Sequence, residues 1–357
     1  MMQPSLLKLA ARILCCPDCG SAVDPALTCV ACGRSCAADE DGILNCMPAS
    51  MNGLPKDRAG IRQTIESSGP GEHGAHVVQY EEAFHDEQAA YYDKLFADPQ
   101  PLLTYYKRLV SRQIYSYVRG REFVADLCCG TGKSSLPLLQ KGLVVAAIDV
   151  SREMLRVYRG KCMEMGCHDV LFIHADASRP PLAANSCPAI MMIGGLHHIR
   201  DQKGSVAHCH RALAKDGILI FHEPIQTGTT SRTARLLDNL YAFTDPGRIW
   251  RAVKRRLGIA AAPPEQPSSD GLCEFTPYEQ PFHSADELLA LLPGSTEVVA
   301  LRSQGVISFH QFAPPMQRMP WLAKPLAAAV VQIDHWLSGD ARRIRSGDAL
   351  FAAYRKR

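Results

Sequence analysis

From residue 121 onward, short apolar runs alternate with amphipathic stretches. The pattern predicts strands over 123–127, 144–149, 170–174, 189–194 and 217–222, with helices over 133–141, 152–165 and 203–214. Such alternation predicts an α/β fold built on a doubly wound, mostly parallel sheet. Three later segments, 296–307, 321–337 and 348–354, are expected to supply antiparallel edge strands separated by a helix. Upstream, residues 80–109 keep helical periodicity with many aromatics, among them Tyr80, Phe84, Tyr91, Tyr92, Phe96, Tyr105 and Tyr106. Leu6, Leu7, Ala10, Ile13 and Leu14 also suit one helical face.

Breaks in the pattern divide the chain into four parts. Residues 1–48 read as a small cysteine module and 76–224 as the α/β core. Between them, 49–75 is polar and glycine-rich, with Ser67-Ser-Gly-Pro-Gly71, and reads as a linker or flap. Residues 225–357 read as a cover over the site together with the closing edge strands. The cover has a basic stretch from Arg248 to Arg256 and a soft segment rich in proline and alanine over 260–269. Phe275, Tyr278, Phe282, Phe309, Phe312 and Trp321 suit an apolar or aromatic substrate there, and suit a hydrophobic core equally well.

Charge excludes little. Lys and Arg number 39 against 36 Asp and Glu, a net +3 over 357 residues, so no strong field draws the chain toward nucleic acid. The first apolar run carries Lys8 and Arg12 and no small-residue cleavage site, so no secretory signal is expected. The fourteen cysteines are then expected to be reduced thiols or metal ligands in a cytoplasmic protein. The most apolar stretch, 321–337, contains Lys324, Pro325, Asp334 and His335 and falls short of a membrane span. A peripheral membrane contact there, aided by Arg342, Arg343 and Arg345, competes with an amphipathic helix packed on its own domain.

Cys16-Pro-Asp-Cys19-Gly and Cys29-Val-Ala-Cys32-Gly are two knuckles nine residues apart, each closed by a glycine. Four thiolates at this spacing suit tetrahedral zinc, and four protein ligands leave no open position, so the zinc is expected to be structural. So short a segment buries little core, and metal binding would supply most of its folding free energy. Cys15, Cys36 and Cys46 are expected to pack, with Cys36 the substitute ligand.

The chemistry lies in the first strand and its turn, Phe123-Val-Ala-Asp-Leu-Cys-Cys-Gly-Thr-Gly132. Gly130 and Gly132 allow a tight turn and close approach of a ligand, and Asp126 offers an acceptor beside it. Asp149 closes the next strand, where a carboxylate accepts from ribose hydroxyls in both methyl-donor and nicotinamide sites. Lys133-Ser-Ser135 follows Gly132 with no third glycine, so the dinucleotide fingerprint is incomplete. Asp126, Gly130, Asp149, Asp176 and His197 are expected to converge beyond the carboxyl ends of the strands.

With Asp176-Ala177 and Gly194-Gly-Leu-His-His198, the run over about residues 80–225 resembles the class I S-adenosylmethionine-dependent methyltransferases. Within them it is similar to the ubiquinone and menaquinone C-methyltransferase branch. The resemblance implies a seven-stranded sheet and S-adenosylmethionine as cofactor, to which the knuckles add a small N-terminal zinc ribbon and residues 225–357 a helical C-terminal cover. It implies that Asp126 lies near the amino-acid end of the cofactor, that Asp176 bonds the adenine amino group and that the Ala177 amide meets the ring. Tyr92, in Tyr92-Asp93, matches the lid residue, and Cys128 belongs to the cofactor loop. The module, ending Asp41-Gly-Ile-Leu-Asn-Cys-Met-Pro48, resembles the zinc ribbons of tRNA- and protein-methyltransferase activators. It also resembles the opening of a bacterial rRNA guanine methyltransferase, where the second knuckle pairs Cys with His.

A sulfonium methyl is already activated, so transfer is mainly a matter of orientation, with a base needed only where the nucleophile loses a proton. His197, His198, His222 and Glu223 end the fourth and fifth strands; His197 and then His222 are the candidate bases, although a Leu-His-His run can also merely order a strand end. Three readings stay open. The first is a methyltransferase acting on a small apolar or aromatic molecule at O or C; the others are an rRNA or tRNA base methyltransferase and a non-catalytic partner protein.

Overall fold

The computed structural model describes residues 3–51, 57–67, 73–95, 101–226, 276–305, 320–341, 347 and 349–357. Phe96, the Arg248 to Arg256 stretch, the 260–269 segment, Phe275, Phe309, Phe312, Arg342, Arg343 and Arg345 lie outside the described residues.

In chain order the elements are α1 (Pro4–Ile13), β1 (Leu44–Asn45), α2 (Arg58–Ser67), α3 (His73–Leu95), α4 (Pro101–Val118), β2 (Phe123–Leu127), α5 (Leu136–Leu139) and β3 (Val144–Asp149). They continue with α6 (Arg152–Glu164), β4 (Val170–His174), β5 (Cys187–Ile193), α7 (Gln202–Ala212), β6 (Leu213–Pro224), α8 (Ala285–Ala290), β7 (Thr296–Gln304), α9 (Pro320–Leu337) and β8 (Ala349–Lys356). The sheet runs β1-β4-β3-β2-β5-β6-β8-β7. It is parallel from β1 to β6, after which β8 pairs antiparallel with both β6 and β7.

The seven expected strands are all present, and an eighth joins them. β1 comes from the cysteine module and lies parallel to β4, pairing Leu44 with Ile173 and Asn45 with His174. Two residues with no alternating pattern give no period to read, so the strand is invisible in the sequence. The 133–141 helix shortens to Leu136–Leu139 because the glycine turn occupies its first residues and Gly142, at φ +78°, stops it. The 49–75 segment contains a helix, α2, whose Ile61 and Ile65 are buried against Val77, Tyr80 and Phe84 of α3.

Central strands are buried on both faces, as parallel strands between helical layers must be. Successive residues go to opposite cores: Ala125, Leu127, Ile148 and Ile173 face α1 and α7, while Val124, Val145, Ala147 and Phe172 face α4, α5 and α6. α1 therefore packs on the sheet itself, with Ala10 and Ile13 fully buried. Backbone bonds from Cys15 N to Pro181 O and from Ala183 N to Ile13 O, with the Arg152–Asp39 and Arg156–Asp41 ion pairs, fasten the module further. Among the described residues, no helix is long and apolar enough to cross a membrane.

Candidate functional site

β2 ends at Leu127 and the chain turns sharply. Cys128 takes φ +55°, a conformation L-residues with side chains seldom adopt outside turns, and Gly130 takes φ +51°. The two glycines have different tasks. Gly130 opens onto empty space, whereas a Cβ on Gly132 would sit 2.3 Å from the Tyr158 ring. Gly132 thus admits Tyr158 beneath the turn, where its hydroxyl meets Ser135 Oγ at 2.8 Å.

Two buried acids flank the turn. Asp149, at the end of β3, accepts from Gly130 N at 2.7 Å and Ser151 N at 2.8 Å, which ties the glycine turn to the next loop. Burial raises its pKa, and the two amides oppose that rise. Asp126 is 1% exposed, and its Oδ2 has no hydrogen-bond partner among the described residues. Burial lifts its pKa to about 7, against a lowering hydrogen bond from Ser135 and with a smaller lift from the Asp149 charge. A buried carboxyl oxygen left unpaired is costly unless a donor arrives from a ligand.

α3 lies across the strand ends and sends a carboxylate to each in turn. Glu82 meets His174, the last residue of β4, at 3.2 Å, and Asp86 accepts from Ser151 Oγ at 2.6 Å after β3. Asp93 accepts from Thr131 Oγ1 at 2.7 Å after β2, and Lys161 ion-pairs with it. Glu81 lies 3.3 Å from His198 after β5. The acidic positions of α3 were not singled out from sequence, because mixed charges at helical spacing look like any solvated helix face.

Two cavities lie beneath this helix. The larger, about 1060 Å³, is lined by Tyr92, Cys128, Gly130, Asp149, Asp176 and Ala177, with Glu81, His85 and His198 on its α3 side. Pro17 and Asp18 of the first knuckle and Pro48–Met51 reach its rim. The smaller, about 270 Å³, is lined by Tyr92, Tyr106, Asp126, Cys128, Gly130 and His222, among others. Tyr92, Cys128, Gly130 and Gly194 border both. Asp176 also caps its own turn, accepting from the amide and hydroxyl of Ser178. Of the expected cofactor residues, only Gly132 borders neither cavity.

The two candidate bases part company. His197 borders neither cavity: its Nδ1 lies 2.7 Å from Glu223 Oε2, and Glu223 is fully buried. Glu223 also accepts from Gly195 N and Leu196 N, so the pair holds the turn after β5 in shape. Burial works against the charged form of His197, and the Glu223 contact outweighs it, raising the pKa. His222 does face a cavity, with Nε2 at 2.9 Å from Tyr106 Oη and 3.1 Å from Gln304 Oε1. Burial lowers its pKa, which favours the neutral ring. His198, the neighbour of His197, lines the larger cavity.

The knuckle cysteines converge. Cys16 and Cys32 sulfurs lie 3.6 Å apart, Cys19 and Cys29 3.5 Å, and Cys19 and Cys32 3.7 Å. Thiolates bound to one zinc at about 2.3 Å would be separated by roughly 3.8 Å in a tetrahedron, so the donor set and spacing fit that ion. The Ala31 and Cys32 amides point at Cys29 Sγ, as around a thiolate. Cys36 and Cys46 are buried away from the four, in the core shared with the sheet.

Residues 124–217 match the family model described as Methyltransferase domain. The matched stretch runs from β2 through β5 into the start of β6, so this part of the parallel sheet is similar to methyltransferase domains. Similar curated proteins include a demethylmenaquinone methyltransferase of Renibacterium salmoninarum, 37% identical over 28% of this chain and 40% of the relative. A ubiquinone/menaquinone biosynthesis C-methyltransferase of Campylobacter jejuni is 29% identical over 33% of this chain and 51% of the relative. The chain thus spans about half or less of the length of these relatives. Similar solved structures include the [4+2]-cyclase SpnF, with TM-score 0.42 and 16% identity over 70% of this chain and 80% of that one. Another is a geranyl diphosphate methyltransferase, with TM-score 0.42 and 12% identity over 69% and 76%.

Proposed function

We propose that the chain is an S-adenosylmethionine-dependent methyltransferase that acts on a small apolar or aromatic molecule, at oxygen or carbon. The observation that carries this reading is the pair of cavities beyond the carboxyl ends of β2, β3 and β4, the larger lined by Cys128, Asp149, Asp176 and Ala177 and the smaller by Asp126. The larger, at about 1060 Å³, reaches the upper limit of single-ligand pockets, roughly 300–1,000 Å³, and so can hold the nucleoside; the acceptor that His222 serves lies toward the smaller cavity, which His222 lines.

S-adenosylmethionine supplies a methyl group on an electrophilic sulfonium centre. In this reading Asp176 and the Ala177 amide hold adenine, Asp149 holds the ribose hydroxyls and the unpaired Asp126 oxygen takes the ammonium group. Tyr92 closes over the cleft, and Cys128 and Gly130 form its floor. Gly132 contributes by admitting Tyr158 under the turn rather than by touching the ligand. His222, neutral and hydrogen-bonded to Tyr106, is the base for an acceptor that must lose a proton. His197 is a positioning residue that acts through Glu223. Cys16, Cys19, Cys29 and Cys32 hold a structural zinc. The two curated relatives are named for menaquinone and ubiquinone, which favours a lipophilic ring as acceptor.

A base-methylating reading draws on one observation: the knuckle residues Pro17 and Asp18 share the rim of the larger cavity with Arg179 and Arg200. One experiment tests both. The full chain is titrated with adenosylhomocysteine by calorimetry, then incubated with labelled cofactor and a cell extract split into lipid, small-molecule and RNA fractions. Heat on titration and label in the lipid or small-molecule fraction are expected. Absence of heat overturns the cofactor assignment, and label confined to RNA overturns the substrate class.

A further inference from the structure

Glu81 and His85 stand one turn apart on α3, and both face the larger cavity together with His198 from the turn after β5. Glu81 Oε2 lies 3.5 Å from His85 Nε2 and 3.3 Å from His198 Nδ1, and all three ligand atoms fall within 4.8 Å of one another. Ligands bound to one ion at about 2.0–2.2 Å are separated by roughly 3.4 Å in a tetrahedron. The two Glu81 separations match that spacing, and the two imidazole nitrogens lie within 4.8 Å of each other.

Glu81 thus pairs with both imidazoles, and two further features bear on the group. Glu81 Oε2 and His198 Nδ1 are both shielded from water, yet neither makes a hydrogen bond of acceptable geometry to any described residue. The other carboxylate oxygen of Glu81 is occupied, since Thr276 Oγ1 donates to Oε1 at 2.5 Å. Thr276 therefore orients the carboxylate and leaves Oε2 aimed at the two imidazoles, as outer-shell partners of metal ligands do.

We propose that Glu81, His85 and His198 bind one divalent transition-metal ion, with its open coordination positions facing the larger cavity. Two imidazoles and a carboxylate suit zinc, iron, cobalt or nickel better than calcium or magnesium. Three protein ligands leave room for an exogenous donor, whereas the four cysteines leave none. A hydroxyl or carbonyl oxygen of a molecule held in the cavity would complete the shell, and the ion would polarise it. The site is independent of the methyl-transfer reading.

Cobalt(II) titration of the metal-stripped full chain distinguishes the two kinds of site. An ion held by four thiolates carries sulfur-to-cobalt charge-transfer absorption, and one held by imidazole and carboxylate shows visible ligand-field bands without it. The wild type is expected to bind one cobalt of each kind. Glu81→Gln and His198→Ala are expected to lose the second kind while keeping the first. Thr276→Ala should weaken it about 10- to 100-fold, with Thr276→Ser restoring it. Should the ligand variants fail to fold, judged by circular dichroism, the Thr276 pair decides. Only thiolate-type cobalt in the wild type, or affinity unchanged in the ligand variants or in Thr276→Ala, overturns the proposal.

Discussion

The two cavities share a wall of Tyr92, Cys128, Gly130 and Gly194 and differ in how their buried acids are held. In the larger one, Asp149 is engaged by the Gly130 and Ser151 amides before any ligand arrives. In the smaller one, Asp126 is equally buried and has an oxygen with no partner among the described residues. A carboxylate paired with backbone organises the loop around it; one left unpaired raises the free energy of the empty protein and lowers it again when a cation binds. The same residue type, at the ends of neighbouring strands, thus divides the work of building the site from that of binding in it.

Removing the organiser should have the largest effect. Asp149→Ala releases two amides as well as the ribose contact, so adenosylhomocysteine affinity is expected to fall at least about 100-fold, the sum of roughly two charge-assisted bonds. Calorimetry would check it; a loss under about fivefold would mean that the turn keeps its shape without Asp149 and that the comparison is false.

Asp126→Asn should move stability and binding in opposite directions. A pKa raised from 3.8 to about 7 means that the folded state prefers the acid form. The stability it contributes is fully present below pH 3.8, the unfolded value, and is lost as pH rises through 7. The ligand-free wild type is therefore expected to lose on the order of a few kcal/mol from this group between those limits. Asn has no charge to bury, so that variant should lose less on going from pH 5 to pH 8 in thermal melts, while binding adenosylhomocysteine roughly tenfold more weakly. Identical pH profiles for the two proteins would show that Asp126 is not the strained group.

A further pair of substitutions should separate the histidines. His222→Phe is expected to lower kcat about 100-fold while leaving cofactor affinity nearly unchanged, as loss of a general base does. Glu223→Gln should act through the turn after β5 and raise KM more than it lowers kcat, since Gln can still accept from the Gly195 and Leu196 amides. Equal kcat losses in both would return His197 to the chemistry.

Residues adjacent in sequence carried most of what could be read in advance. The turn from Asp126 to Gly132, the carboxylate ending β3 and the one just after β4 were legible because strand ends and glycines mark them locally. The cysteine knuckles were legible because a ligand set within seventeen residues needs only its own turns. The Leu-His-His run gives no hint of which ring turns inward; Glu223, twenty-six residues after His197, captures the first.

Sequence alone determined the alternating strands and helices, the acid-bearing strand ends and the four-thiol cluster, since each depends on periodicity or spacing along the chain. Tertiary structure decided the rest. It added β1 as an eighth strand and brought the α3 carboxylates to four separate strand ends. It also joined Glu81, His85 and His198 with Thr276 and left one Asp126 oxygen without a hydrogen-bond partner among the described residues. Those outcomes follow from close packing of segments far apart in the chain, where the burial of a polar atom and the presence of its partner are set by neighbours no local pattern encodes.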